Sequence, residues 1–323
     1  MGAQITAFGS YTPEKVIDNK YFESIIETND EWIQTRTGIK ERRFAREDEY
    51  VSDLCVEAVK DLAARTGKSY KDVDFIIVAS ISAEHTMPSV ACQIQSKLEI
   101  GNCGALDIGA ACAGFVYATQ LAQGLVEAGT YKKVLVLGAE KLTNVVDYKD
   151  RATCILFGDG AGACLVEAAE GETNFLANLS GSNGNDGNVL YLSQKATQLN
   201  NQPVEPNDRL FQEGRKVFKW AITTISSEVK NLCDKAGITV DDIDWLVPHS
   251  ANLRIIEGIS KSVGVPVEKT LQSVVKSGNT SSASIPLAVM NGIKEGKVKK
   301  GDRVLMIGFG GGLTYAGTIF QVV

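Results

Sequence analysis

The most constraining feature of this sequence is an internal repeat with a constant spacing. Three segments of the first half match segments of the second half at one and the same offset in residue number: Val59–Gly67 with Val229–Gly237, Asp72–Ala79 with Asp242–His249, and Val134–Gly138 with Val304–Gly308. They comprise a helical pattern that ends at glycine and short apolar runs typical of buried strands. A fixed offset through several elements predicts one strand–helix unit used twice, and therefore an α/β fold of two similar halves.

The repeat and the composition together predict the domain boundaries. The chain has 323 residues, which is long enough for two halves that each have their own core. Residues 180–208 are rich in Asn, Gly, Ser and Gln, as surface loops usually are. We therefore expect an N-terminal half at 1–170, a connecting excursion at 171–210 and a C-terminal half at 211–323.

Cys112 lies in a pattern that predicts a strand, a tight turn and a helix. An apolar run that starts after Gly104 predicts a buried strand, and the Ala- and Leu-rich stretch that ends at Gly129 predicts a helix. Small neighbours would let a substrate approach the sulfur, and the positive end of the helix would favour the thiolate. Such a thiolate suits nucleophilic acyl transfer. The alternative is a buried cysteine that only packs as a small apolar residue.

The repeat also predicts which residues face the cysteine. The helix after it contains Gly124–Glu127, which resembles Gly292–Glu295 at an offset slightly smaller than that of the other segments. This smaller offset makes Thr280, next to Asn279, the counterpart of the cysteine. His249 ends a predicted strand, at the sheet edge where α/β proteins usually bind ligands. We therefore expect the cysteine, the histidine and the asparagine to converge on one crevice.

Each of these assignments has a simpler alternative. His249 would also fit as a structural histidine held by hydrogen bonds, and Asn279 as an ordinary turn residue. The glycines of Gly308–Gly312 would let backbone N–H groups approach an oxyanion, or would only form a tight turn between strands. His85, the second of two histidines, lies among loop residues and is expected to have a structural or interface role.

Composition excludes several classes of function. A net charge of −6 argues against nucleic acid as the main partner, and no apolar run is long enough to span a membrane. The seven cysteines include no CxxC pair, so we expect neither disulfides nor a metal site, and a cytoplasmic location. Gly158–Ala163 fits the dinucleotide pattern GxGxxA, but a predicted strand follows it instead of a helix, so no dinucleotide cofactor is expected.

Taken together, the motifs resemble those of the β-ketoacyl-acyl-carrier-protein synthase III enzymes of bacterial fatty acid synthesis, within the thiolase-like superfamily. The resemblance runs nearly end to end and is carried by Asp30–Ile39, Pro88–Gln95, Cys112–Phe115, Phe157–Gly162, His249–Arg254, Gly278–Ser281 and Phe309–Gly312. It implies a thiolase-like α/β fold, in which two duplicated halves form a five-layered αβαβα arrangement. It also implies a homodimer.

The resemblance implies a mechanism for the three converging side chains. Cys112 would take the acyl group of an acyl-CoA primer, and malonyl-acyl-carrier protein would then enter. His249 and Asn279 would stabilise the enolate that forms as CO2 leaves, and this carbanion would attack the acyl-cysteine. The backbone N–H groups of Cys112 and Gly311 would form the oxyanion hole. No metal or other cofactor is implied, since both substrates are thioesters.

The resemblance also implies the binding residues. Trp32 and Arg151 would sandwich the CoA adenine, Arg36 would meet the CoA phosphates, and Asn252 would lie near the pantetheine arm. The implied carrier-protein contacts are Ser250 (where many members have Gln), Ala251, Asn252, Leu253 and Arg254, with Lys219 and Lys261 as basic neighbours.

Met87 differs from the family members that use straight-chain primers, which carry Phe at this position. There the residue reaches across the dimer and caps the primer pocket, of which Phe157 is also a part. Since Met is flexible and slimmer, we expect branched primers such as isobutyryl- or isovaleryl-CoA to be accepted. Two alternatives stay open: a related condensing enzyme of polyketide or other secondary metabolism, and a non-catalytic module that binds acyl-carrier protein.

Overall fold

The structure, a computed structural model, describes all 323 residues. The strands are β1 (Gly2–Tyr11), β2 (Lys15–Asp18), β3 (Glu41–Phe44), β4 (Phe75–Ala79), β5 (Gly104–Ile108), β6 (Lys133–Lys141), β7 (Asp159–Ala169), β8 (Phe175–Ser182), β9 (Leu190–Leu192), β10 (Gln198–Leu199), β11 (Gln202–Pro203), β12 (Leu210–Gln212), β13 (Trp245–Pro248), β14 (Arg303–Gly310) and β15 (Thr314–Gln321). The helices are α1 (Asn19–Glu23), α2 (Asp30–Thr37), α3 (Val51–Thr66), α4 (Val90–Lys97), α5 (Gly114–Glu127), α6 (Gly214–Trp220), α7 (Ser226–Ala236), α8 (Leu253–Val263), α9 (Val274–Ser277) and α10 (Ser284–Lys294).

Two mixed sheets form the framework. The first has the order β1-β7-β6-β4-β5, and the second has the order β13-β14-β15-β8. In the first sheet β4 runs parallel to β5 and β6, and in the second β13 runs parallel to β14. The parallel central strands are apolar along most of their length, because helices cover both faces of each sheet.

Five layers follow from how the helices pack. Helices α5 and α10 lie between the two sheets, in a shared core that includes Phe115, Val116, Ala288 and Val289. Helix α3 covers the outer face of the first sheet, and α7 and α8 cover that of the second. This is the layered arrangement of two duplicated halves that the sequence predicts. No helix is both long and apolar enough to cross a membrane.

The backbone shows the repeat, but the residue equivalent to Cys112 differs from the one predicted. A short 3-10 turn at Ala111–Ala113 precedes α5, and an equivalent one at Ser281–Ala283 precedes α10. These turns are related by the main offset of the repeat, so the counterpart of Cys112 is Ser282 and not Thr280. The smaller offset holds only near the helix ends, because α10 is shorter than α5.

The predicted connection at 171–210 contains regular structure. Phe175–Ser182 pairs antiparallel with β15 and is an edge strand of the second sheet. The remainder forms two small strand pairs, β10 with β11 and β9 with β12. The polar composition of this stretch misled the prediction, because an edge strand with one exposed face needs few apolar residues.

The strand that leads to Cys112 is not buried as predicted. All five residues of β5 are at least partly exposed, and Leu106 keeps 38% of its surface accessible. The cause is its position at the edge of the first sheet, where it pairs with β4 on one side only.

Candidate active site

One large cavity, of about 1620 Å³, lies at the carboxyl ends of the central strands of both sheets. Cys112, His249 and Asn279 all line it, so the structure brings together the three residues expected to converge. His85 is exposed and does not line the cavity, in keeping with its expected position in a loop.

Cys112 is presented to the cavity by a strained turn. The preceding residue, Ala111, has a φ of +45°, a conformation that non-glycine residues rarely adopt. This sharp change of direction lifts the sulfur above the start of α5. Gly310 packs against it, since a Cβ at Gly310 would lie 2.9 Å from the backbone nitrogen and 3.1 Å from Sγ of Cys112. The cysteine is thus held between the two halves.

The resting state of Cys112 differs from the expectation. Burial raises the pKa of the Cys112 thiol to about 12, the nearby Ser281 hydroxyl lowers it, and the charge of Glu140 raises it further. The predicted thiolate is therefore disfavoured, because burial penalises the charged form of the sulfur. With a pKa of about 12, Cys112 is mainly a thiol near pH 7.

His249 follows β13 and is almost fully buried, with 1% of its surface accessible. Burial lowers the pKa of His249 to about 3, so the ring is neutral near pH 7. Its Nδ1 lies 2.7 Å from the Ser284 hydroxyl, and Phe309 packs against its ring edge-to-face at 5.2 Å. The ring therefore has a fixed orientation, with no protein partner at Nε2.

Asn279 is fixed by main-chain and side-chain hydrogen bonds. Its backbone pairs with the other half of the chain: its N–H donates to Leu156 at 2.8 Å, and its C=O accepts from Gly158 at 3.1 Å. Its Oδ1 accepts the N–H of Ser281 at 2.8 Å. Because the oxygen is occupied, the amide nitrogen remains as a donor toward the cavity.

A cysteine, a neutral imidazole and an amide therefore share one site. Neutral N–H donors stabilise a developing oxyanion without the cost of burying a charge. A carbonyl oxygen that becomes an enolate would meet such donors at His249 and Asn279. The geometry suits acyl transfer to sulfur followed by formation of a carbanion.

The glycine run after β14 lies directly at the cysteine. Gly310, Gly311 and Gly312 all line the cavity. Gly310 makes the closest approach to Cys112, whereas a Cβ on Gly311 would meet the carbonyl oxygen of Leu190 at 3.0 Å. These contacts agree with the close backbone approach that glycine permits, and the assignment of Gly311 to an oxyanion hole stays a prediction.

The expected adenine clamp is closed in the structure. Asn29 caps α2 by accepting the N–H of Trp32 at 2.7 Å, which fixes Trp32 in the first turn of the helix. The guanidinium of Arg151 lies 4.3 Å from the centre of the Trp32 ring, and that of Arg36 lies 5.8 Å away. Since Arg151 already stacks on Trp32, the two must separate before a base can enter between them.

The segment after His249 divides into buried and exposed residues. Ser250 is 0% exposed, and its hydroxyl accepts the N–H of Ser273, so it cannot touch a carrier protein and that prediction is wrong. Asn252 caps α8 through the N–H of Arg254 and donates to the carbonyl of Arg36 at 3.2 Å. Its structural role leaves one amide hydrogen for a ligand.

The other expected carrier contacts lie at the surface or the cavity wall. Ala251 lines the cavity, and Leu253 packs against Gly38. Lys219, Arg254 and Lys261 are exposed on the neighbouring helices α6 and α8. Arg254 and Lys261 are separated by two helical turns, so they share one face of α8.

The cavity is basic, although the chain as a whole is acidic. Its lining contains the cations Arg36, Lys195, Arg215 and Arg254 and no carboxylate. Lys195 and Arg215 were not predicted from the sequence. Lys195 belongs to the stretch 171–210 that was expected only to connect the halves, and Arg215 lies five residues beyond its end. Such a lining attracts phosphates and acidic proteins.

A buried carboxylate lies beside the counterpart of Cys112, and the sequence analysis missed it. Glu140 is 0% exposed and accepts hydrogen bonds from Ser82 at 2.5 Å, Ser282 at 3.0 Å and the backbone of Ile81 at 3.1 Å. It therefore ties β6 to the turn before α10. Glu140 is equivalent to Gly310 in the repeat, and this equivalence could have indicated that Glu140 lies beside the counterpart of Cys112.

The two expected primer-pocket residues lie in different environments. Phe157 is buried, lines the cavity and pairs through its backbone with Asn279. Met87 is 84% exposed and does not line the cavity, although its neighbour Thr86 does. No group of three or more His, Cys, Asp or Glu side chains is arranged to hold a metal ion.

Comparisons with known proteins agree on one family. Residues 106–184 match the family model described as 3-oxoacyl-[acyl-carrier-protein (ACP)] synthase III, and residues 233–322 match the model of its C-terminal part. A curated relative, β-ketoacyl-[acyl-carrier-protein] synthase III 2 of Halalkalibacterium halodurans, is 51% identical over 99% of this chain and 96% of its own length.

Two solved structures have the same fold. β-Ketoacyl-[acyl carrier protein] synthase III of Thermus thermophilus superimposes with a TM-score of 0.95 at 41% identity, over 100% of this chain and 99% of that one. The priming β-ketosynthase of the R1128 polyketide biosynthetic pathway superimposes with a TM-score of 0.92 at 34% identity, over 99% of this chain and 96% of that one. The thiolase-like fold predicted from the sequence is confirmed.

Proposed function

Since the chain belongs to the β-ketoacyl-[acyl-carrier-protein] synthase III family, we propose that Cys112, His249 and Asn279 divide its reaction between a nucleophile and two hydrogen-bond donors. The protein is an acyltransferase of fatty acid synthesis that condenses an acyl-CoA primer with malonyl-acyl-carrier protein. This division of roles rests on one observation: the Cys112 sulfur and the fixed, uncharged side chains of His249 and Asn279 line the same cavity.

In the first step Cys112 attacks the thioester carbonyl of the primer. The new bond joins Sγ to the acyl carbon, the bond from that carbon to the CoA sulfur breaks, and the thiol proton of Cys112 passes to the departing sulfur. No net acid or base is consumed, which suits a cysteine whose pKa is raised to about 12 by burial. The N–H groups of Cys112 and Gly311 stabilise the tetrahedral oxyanion.

In the second step the malonyl thioester loses CO2. The electron pair of the broken carbon–carbon bond moves into an enolate, whose oxygen accepts hydrogen bonds from His249 and Asn279. The carbanion then attacks the acyl-cysteine, and Cys112 leaves as a thiolate that takes up a proton. Burial favours this return to the thiol.

The basic lining of the cavity supports two anionic substrates. Arg36 and Arg151 serve the phosphates and adenine of CoA, and Asn252 lies along the path of the pantetheine arm. Lys219, Arg254 and Lys261 are exposed, and Arg254 also lines the cavity, so these cations would serve the acidic carrier protein. Ala251 and Leu253 complete this surface.

A homodimer would complete the site. The outer edge of β5 has no partner strand, and the side chains of Leu106 and Met87 are exposed. Such an edge is available to pair with a second copy of the chain. Asp107 on β5 accepts two N–H groups at the start of α4, so the loop that carries Met87 is anchored beside this edge. Met87 would then reach the primer pocket of the partner subunit.

We infer that the primer pocket accepts branched acyl groups. Met87 offers a flexible, slim cap, and Phe157 forms the inner wall. No metal or organic cofactor takes part in either step, and the reaction takes place in the cytoplasm, where CoA and carrier thioesters are made.

A second candidate is priming of a polyketide, because the R1128 priming ketosynthase is 34% identical over nearly the whole chain. The two roles share the chemistry and differ in the carrier protein. Rates with the fatty acid carrier and with a polyketide carrier from the same host would separate them.

The proposed roles are tested by separating the partial reactions. Mixing the protein with isobutyryl-CoA should add one acyl group to the Cys112 peptide, as measured by mass spectrometry, and Cys112→Ala should add none. His249→Ala and Asn279→Ala should still acylate but should release CO2 from malonyl-acyl-carrier protein ~10²–10³-fold more slowly. Loss of acylation in both variants would contradict the division, and a wild-type protein that never acylates would contradict the function.

A further inference from the structure

We propose that Ser284 is a positioning residue of the condensation: its hydroxyl donates a hydrogen bond to Nδ1 of His249 and thereby keeps the ring proton on Nε2, facing the substrate. The proposal deepens the role given to His249 and rests on the proposed function for its effect on rate. Ser284 is the first residue of α10 and is 0% exposed.

Only one placement of the Ser284 hydroxyl hydrogen and the His249 ring proton gives every buried donor of this pair an acceptor. Its Oγ lies 2.7 Å from Nδ1 of His249 and accepts the backbone N–H of Ser250 at 3.3 Å. Its hydroxyl hydrogen has no acceptor other than Nδ1 of His249. If Nδ1 carried the ring proton, the hydroxyl would accept twice, and its own hydrogen would be buried without a partner, which is unfavourable.

The neutral ring makes the choice of tautomer matter. A neutral imidazole has only one N–H group, so it can donate either to Ser284 or into the cavity. His249 lines the cavity, and the one hydrogen bond that its ring makes within the protein involves Nδ1 and not Nε2. With Nδ1 accepting from Ser284, the single N–H lies on the side where the enolate oxygen forms. Asn279 supplies the second donor.

The position of Ser284 in the repeat supports a specific role. It is the counterpart of Gly114 in the first half, where the start of α5 carries no hydroxyl. Gly114 lies against Ala79, the counterpart of His249. A hydroxyl thus occurs at the start of the central helix only in the half that carries an imidazole.

The tautomer is measurable without an activity assay. The chain contains two histidines, so nitrogen-15 labelling of histidine gives two rings, and a His249→Ala variant assigns them. We expect the His249 ring of the wild type to be neutral and protonated at Nε2 from about pH 5 to 8. Ser284→Ala should shift intensity towards the Nδ1-protonated form.

Kinetics then test the consequence for the reaction. Ser284→Ala should lower the decarboxylation rate ~10–10²-fold, while the rate of Cys112 acylation and the KM for acyl-CoA change less than about twofold. Ser284→Thr keeps the hydroxyl and should recover most of the rate. Ser260→Ala is the matched control, since Ser260 is also buried but donates to Val265, far from the histidine.

Two results would overturn the proposal. One is a wild-type spectrum in which Nδ1 of His249 carries the proton. The other is a folded Ser284→Ala variant that decarboxylates as fast as Ser260→Ala. If Ser284→Thr does not fold, the wild-type spectrum and the Ser284→Ala rates still decide the question. A wild type that is inactive but shows the expected tautomer would contradict the proposed function. It would still support the hydrogen bond from Ser284 to Nδ1 of His249.

Discussion

Gly310 and Glu140 occupy equivalent positions of the repeat, at the ends of β14 and β6, and each faces the turn of the opposite half. Gly310 leaves room for the sulfur of Cys112, against which its backbone packs. The carboxylate of Glu140 instead binds the hydroxyl of Ser282, the counterpart of that cysteine, at 3.0 Å. One of the two duplicated turns is therefore open to substrate and the other is occupied by a side chain.

Gly310→Ala should displace the nucleophile. A Cβ at this position would lie 2.9 Å from the backbone nitrogen and 3.1 Å from Sγ of Cys112, so the turn and its sulfur must move. Since a displacement of ~1 Å costs ~10²-fold in rate, we expect acylation by acyl-CoA to fall at least that far. The control is Gly184→Ala, whose Cβ would meet no atom within 4 Å and which should acylate normally. Normal acylation of Gly310→Ala would contradict the tight contact.

The reactivity of Cys112 should keep increasing with pH. Because burial raises the pKa of the thiol to about 12, the thiolate fraction grows ~10-fold per pH unit throughout the accessible range. Alkylation by iodoacetamide, followed on the Cys112 peptide by mass spectrometry, should rise ~10-fold between pH 7 and 8 and again between 8 and 9. Alkylation of the exposed Cys92, measured in the same digest, is the control for the activity of the reagent. A rate that levels off below pH 9 would show that a thiolate already exists at rest.

Trp32→Ala should weaken the binding of CoA without changing the chemistry. Stacking of a base on an aromatic ring contributes ~1–3 kcal/mol, so the KM for acyl-CoA should rise ~10-fold or more. The rate with an acyl-pantetheine, which lacks the adenine, should not change. Arg65→Ala removes an exposed arginine far from the cavity and is the control for Arg151→Ala, which should behave like Trp32→Ala. Equal losses with both thioesters would rule out an adenine clamp.

Met87→Phe should shift the primer preference towards acetyl-CoA. A bulkier cap disfavours a branched chain, and one extra methyl group in a pocket changes specificity ~10-fold or more. The ratio of rates with isobutyryl-CoA and acetyl-CoA should fall by that factor. Met87→Leu, of similar size, should keep the wild-type ratio. Since Met87 is 84% exposed in the single chain, neither variant should affect folding of the protomer. An unchanged ratio in Met87→Phe would end the proposal on branched primers.

The local elements could be predicted well because their signals are local. The helix α3 spans Val51–Thr66, and Gly67 closes it with a φ of +70°, as the helical pattern of Val59–Gly67 predicts. The strand Phe75–Ala79 is the apolar run of the repeat segment Asp72–Ala79. In both cases apolar spacing and a glycine stop sufficed, since these depend only on neighbouring residues.

Errors arose where a distant element decided the environment. The apolar run before Cys112 predicted a buried strand, but no strand of the same chain covers its outer edge. Ser250 follows His249 in the motif and was expected at the surface, yet it is buried against Ser273. The polar stretch around 190–199 was expected to connect the halves, and it lines the cavity.

The sequence by itself determined that this chain is a duplicated α/β protein and that a cysteine, a histidine and an asparagine stand at the ends of its elements, where they can meet. The tertiary structure decided what those groups can do. The raised pKa of Cys112 depends on its burial between the two halves, the tautomer of His249 on Ser284, and the position of Asn279 on Leu156, which lies far away in sequence. Periodicity is a property of neighbouring residues, whereas desolvation and hydrogen bonding depend on atoms that only folding brings within a few ångströms.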